Sequence, residues 1–171
     1  MALADIFLEI KGPDIPGEAQ AAGKFTGMIE VLAFSWGEQN IGTASVSGGG
    51  GSGKVAKQDL VITKQVDKAS NNLMFGCASG THYTSAKLYV RKAGGDPLEY
   101  LEIDLGPGDG GAVFLSGYSV SGSGGDGVIP VETVGINFST MTMIYNQQQK
   151  TGSGAGAATN GYDFGAGKKF P

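Results

Sequence analysis

Residues Gly48 to Lys54 read G-G-G-G-S-G-K and satisfy G-x-x-x-x-G-K, the spacing of a loop that cradles phosphates. That chemistry needs two further features. A Ser or Thr must follow the lysine to hold Mg²⁺, and the loop must open a helix whose N-terminal amides face the anion. Here Val55 follows, and it cannot ligate a metal. The residues beyond it, Val55 to Thr63, are short, β-branched and alternating, so they predict a strand. The stretch reads as a long loop feeding a strand, suited to touching another chain. Lys54 is a solvated charge at its foot.

Other reactive pairs are few. Cys77 and His82 could make a nucleophile and base. Cys77, however, falls on the apolar stripe of a helical pattern, where free cysteine behaves as a small buried hydrophobe. One His and one Cys lack metal-ligand spacing. Asp104 with Asp109, and Glu99 with Glu102, read as solvated turn and edge residues. No catalytic residue, metal site or cofactor is expected. Trp36 is read as a core aromatic or as a subunit contact, where Trp is enriched.

The elements around these residues are mostly strands. Ile6, Leu8 and Ile10 alternate with polar or aromatic neighbours. Thr26 to Trp36 predicts one strand, apolar on both faces, buried on both sides or against a neighbouring subunit. Val66 to Ala78 changes period, with Val66, Ala69, Leu73 and Cys77 at helical spacing, Asp67 placed to cap and Gly80 placed to end the helix. Ala86 to Arg91 and Leu98 to Leu105 predict a hairpin. Val113 to Val120 and Ile129 to Tyr145 continue the β pattern. Residues 12–23 read as an exposed loop. From Asn146 to Pro171 the chain is rich in Gly, Ala and Ser, and it is expected to be a partly mobile tail anchored by Tyr162 and Phe164. The expected fold is mainly β, a small β-barrel of two sheets with one flanking short α-helix, over residues 1–145.

Composition narrows the class of function. A net charge of −4 with 16% charged residues offers little to phosphate backbones, so nucleic acid is not the expected partner. Glycine, at 31 of 171 residues, clusters between apolar runs without a collagen period. The single cysteine excludes an intramolecular disulfide. The N-terminus carries no basic-then-apolar signal segment, and no apolar run reaches membrane-spanning length, so no stable membrane insertion is expected.

Several segments, in order, resemble one family. They are Val31-Leu32-Ala33-Phe34-Ser35-Trp36-Gly37, the glycine loop 48–55, Gln58-Asp59-Leu60, Ile62-Thr63-Lys64 and Asp67-Lys68-Ala69-Ser70. They continue with Asn72-Leu73-Met74, Cys77-Ala78-Ser79-Gly80 with His82, Lys87-Leu88 with Val90 to Gly95, Glu99-Tyr100-Leu101, and Val134 with Asn137-Phe138. From about residue 5 to about 145 the chain resembles the haemolysin-coregulated protein (Hcp) family, tube subunits of the bacterial type VI secretion system.

The resemblance implies a two-sheet β-barrel with a flanking helix, a homo-hexameric ring, and rings that stack into a tube inside a contractile sheath. It implies sheath and spike proteins as partners and small effector proteins carried in the ring lumen. It also implies a start in the bacterial cytoplasm and export without a signal peptide. A phage-type tail tube subunit is the alternative. Ser45, Gly48, Gly49, Gly50, Gly51, Ser52, Gly53 and Lys54 are the candidate ring-stacking loop. Met28, Phe34 and Trp36 are the candidate subunit contacts.

Overall fold

The computed structural model describes residues 4–40, 54–92, 98–106, 113–148 and 154–170. Two antiparallel sheets pack around one core without closing on each other. The seven-stranded sheet contains β1 (Ala4–Lys11), β2 (Ile29–Val31), β8 (Ser85–Lys92), β9 (Glu99–Leu105), β12 (Thr140–Gln148), β13 (Gly154–Asp163) and β14 (Lys168–Phe170), in the order β14-β13-β12-β9-β8-β1-β2. The five-stranded sheet runs β3 (Ala33–Ser35), β6 (Leu60–Gln65), β11 (Val131–Phe138), β10 (Val113–Ser121), β7 (His82–Tyr83). A separate two-stranded ribbon joins β4 (Glu38–Asn40) to β5 (Val55–Lys57). Helix α1 (Ser70–Ser79) lies against β10.

Period-two alternation builds the core. Leu8, Ile10, Leu60, Ile62, Leu88, Ile103, Val134 and Ile136 point inward and are buried. The expected hairpin is present, with Leu88 opposite Ile103. The helix starts later than its pattern suggests, at Ser70. Asp67 does not cap it directly. Its Oδ1 accepts the Ala69 amide at 2.8 Å in the turn before the helix. Gly80 ends α1 in the left-handed conformation, φ 63°, which costs a glycine little. Gly76 lets the helix approach β7, since a Cβ there would lie 2.1 Å from the Tyr83 hydroxyl.

Three predicted continuous strands are broken, each for a topological reason. Thr26 to Trp36 becomes β2 and β3, because the chain leaves one sheet for the other at Leu32, whose amide donates to the Thr63 carbonyl at 2.8 Å. The inward set shifts there from Ile29 and Val31 to Phe34 and Trp36. Both faces look apolar because Met28 enters the outer cluster while Ile29 enters the main core, and because the inward phase then shifts by one residue. Ile129 to Tyr145 crosses between sheets in the same way at Ser139, dividing β11 from β12. Val55 to Thr63 divides at Gln58 and Asp59 into β5 and β6.

Two loop expectations also change. Residues 12–23 are not wholly exposed, because Ile15 and Ala19 are buried. With Phe25 and Met28 this segment covers Phe7 and Tyr89 on the outer side of the seven-stranded sheet, and Phe7 stacks on Phe25 at 4.9 Å between ring centres. The boundary drawn at residue 146 falls inside β12, and the segment beyond it supplies β13 and β14. Tyr162 and Phe164 do pack against the core. The remaining residues of β13 are mostly small, and backbone pairing to β12 aligns them from Gly154 to Asp163.

Candidate functional site

The β4–β5 ribbon carries the glycine loop. Glu38 pairs with Lys57, Gln39 with Ala56 and Asn40 with Val55, so the two ends of the connecting segment leave side by side. Ser45 and Gly48 to Gly53 lie outside the described residues. Lys54 is exposed at the ribbon's end. Few core contacts hold β4, whose three residues are all exposed. The anchors lie at the ribbon's base. The Gln58 amide donates to the Gly37 carbonyl at 2.9 Å. The Lys57 ammonium sits 4.4 Å from the Phe138 ring centre, and burial lowers its pKa against the pull of Asp59.

Trp36 belongs to this base. Its ring lies 6.4 Å from Phe138 and 6.5 Å from Phe164. Its indole Nε1 is buried with no hydrogen-bond partner among the described residues. A groove of about 300 Å³ opens beside it, lined by Glu38, Met141, Met143, Tyr162 and Phe164. Among the other candidate contacts, Phe34 is partly exposed and packs on the main core. Met28 is buried in the Phe7–Phe25–Tyr89 cluster.

A second polar constellation is internal. Lys64 and Glu132 face each other across β6 and β11, both fully buried, at 2.6 Å. The Lys64 ammonium also donates to Asp67 at 2.8 Å and to the Gln65 carbonyl at 2.7 Å. Glu132 accepts the Ser70 hydroxyl at 3.0 Å and the Tyr118 hydroxyl at 2.7 Å. Burial, then the bond to Glu132 and its charge, push the Tyr118 phenol up to about 12. The network ties the start of α1 to three strands. Its sequence signal was parity: Lys64 shares the inward phase of Leu60 and Ile62, and Glu132 that of Val134 and Ile136.

The catalytic candidates do not assemble into a reaction centre. Cys77 packs against the core, while exposed His82 lies beside the Phe114 ring at 5.9 Å. Asp104 pairs with Lys87 at 2.8 Å, and Asp109 lies outside the described residues. Glu99 pairs with Lys24 at 2.6 Å. Glu102 has a raised pKa, first from burial and then from Glu99 against the pull of Lys87. Among the described residues no group of His, Cys, Asp or Glu could hold a metal ion, and no helix is long and apolar enough to cross a membrane.

The fold defines a two-sheet β protein with one short helix, in which many of the described ionisable residues form ion pairs. The family described as "Type VI secretion system effector, Hcp" matches residues 7–145. The chain is 42% identical over 150 residues to Protein hcp1 of Pseudomonas aeruginosa, covering 87% of each chain. A solved structure described as that of a type six secretion system protein superposes with a TM-score of 0.87 at 26% identity, covering 98% of this chain and 100% of the other. Hcp1 from Salmonella typhimurium superposes with a TM-score of 0.77 at 36% identity, covering 99% and 100%. The chain belongs to the Hcp family of type VI secretion proteins.

Proposed function

We propose that this chain is a tube subunit. Six copies close into a ring, and the rings stack into a tube that a contractile sheath drives outward behind a spike. Small effector proteins ride in the ring lumen. The subunit is made in the bacterial cytoplasm and is exported from it. The family match across residues 7–145 carries this reading. The open sheets support it, because unpaired strand edges are a liability in a monomer and a docking surface in an assembly.

In this reading the segment Ser45 to Lys54, which connects β4 to β5, reaches the adjacent ring. Partly exposed Phe34 and Trp36 lie near a subunit contact, and Met28, buried in the separate outer cluster, does not reach that surface. Negative-stain imaging tests both levels. The purified protein should give rings with an open centre. Deleting Gly48 to Gly51 should leave the rings and reduce stacked tubes at least several-fold. Tubes unchanged by the deletion would remove the loop from the stacking contact, and an absence of rings in the intact protein would remove the tube reading.

A further inference from the structure

The seven-stranded sheet ends in two different strands, β14 on one side and β2 on the other. Where β2 gives way to β3, a groove of about 160 Å³ opens. Its floor is Leu32, Val66 and Ile129, exposed at 58%, 38% and 50%. Three large apolar side chains held together in water favour a partner. Three acids, Glu18, Glu30 and Asp67, also line the groove. Asp67 is already matched by Lys64 at 2.8 Å. Glu18 accepts only the Lys68 backbone amide at 3.0 Å, and Glu30 makes no ion pair with a described residue. The groove therefore presents an apolar floor with uncompensated negative charge.

The opposite edge has the complementary character. Strand β14 reads Lys168-Lys169-Phe170, with both lysines exposed and the phenylalanine partly so. Neither lysine makes an ion pair with a described residue. Asp163, opposite Lys168, instead accepts the Ala166 amide at 2.8 Å. Lys168 and Phe170 share one face of the strand, so an aromatic ring and a cation can enter a groove together.

We propose that Lys168 and Phe170 of one copy dock on the groove formed by Leu32, Val66 and Ile129 with Glu18 and Glu30 of the next copy, with Lys169 on the strand's other face adding positive charge at the rim. The two surfaces differ, so the contact is head to tail, the kind that closes a ring when its rotation permits. Phe170 covers the apolar floor and Lys168 meets Glu18 and Glu30, neither of which has an ion pair with a described residue. The proposal rests on the ring reading and names the surfaces that make the ring.

Charge exchange tests it, with the solution mass read by light scattering at moderate salt, where exposed charges still act over about 10 Å. K168E/K169E and E18K/E30K should each raise the concentration needed for ring assembly at least tenfold. Each should keep the wild-type circular dichroism spectrum. The fourfold variant E18K/E30K/K168E/K169E restores opposite charges across the contact and should recover rings. Wild-type assembly in both double variants would overturn the docking while leaving the ring reading intact. Failure of the fourfold variant to recover would also overturn it. A wild-type chain that stays monomeric would overturn the ring reading and the docking together.

Discussion

Lys64 and Lys87 each bridge two acids beside a β-strand, and they differ in their surroundings. Lys64 meets Glu132 and Asp67 at 2.6 and 2.8 Å with its side chain fully buried. Lys87 meets Asp104 and Glu102 at 2.8 and 3.5 Å with its side chain 32% exposed on the outer face of the seven-stranded sheet. Each region also holds a tyrosine whose phenol is pushed up to about 12, Tyr118 beside Glu132 and Tyr89 near Glu102. Similar groups therefore have different consequences. In the core an ionic group left alone cannot be rehydrated, so the pair acts as a unit. On the outer face Lys87 is partly exposed, so water offsets part of a lost contact, although Asp104 beneath it is buried.

The largest break in this comparison is Lys64→Ala. It strands Glu132 in the core and should cost about 3–5 kcal/mol in urea unfolding. Lys64→Met combined with Glu132→Leu should recover much of that loss, less the bonds from Ser70 and Tyr118 that lose their acceptor. A single-variant loss below about 1 kcal/mol would show that water reaches the site.

Tyr118→Phe comes next, at about 1.5 kcal/mol for one hydrogen bond to a charged acceptor. It also has a pH signature. An unfolded tyrosine titrates near pH 10, whereas the folded phenol holds its proton to about 12. The folded state thus binds more protons between those values. The stabilisation is complete below about pH 10 and is lost as pH rises toward about 12. Tyr118→Phe should flatten that alkaline fall. Tyr89→Phe, for which burial is the leading cause of the same shift, should flatten it to a similar degree.

The smallest effect belongs to Lys87→Ala, about 1 kcal/mol and shrinking as salt is added, because Lys87 is partly exposed while Asp104 loses its only ion pair among the described residues. A loss as large as that of Lys64→Ala would erase the distinction between the two faces.

Alternation in Ile6 to Ile10, helical spacing from Ala69 to Leu73, and the glycine at 80 made the strands, the helix and its end legible before the fold was known. The crossings at Leu32 and Ser139 were not, since a one-residue change of inward phase within an apolar run has no local marker. Lys64 and Glu132 were hidden because a lone charge in a strand ordinarily faces water. Only pairing the two strands shows that two inward charges of opposite sign meet. Strands β13 and β14 were obscured because Gly, Ala and Asn give no hydrophobic alternation, and their register comes from backbone pairing. The failed phosphate-loop context pointed to a strand after the glycine run, and β5 and β6 are present there, with β5 paired to β4.

The central claim is that this chain is shaped to be bound by its own copies. Sedimentation velocity across a hundredfold concentration range tests it directly. With a chain mass of 17.4 kDa, the tube reading predicts a dominant species of six copies, about 104 kDa, persisting on dilution into the micromolar range. A single 17.4 kDa boundary at every concentration would contradict it.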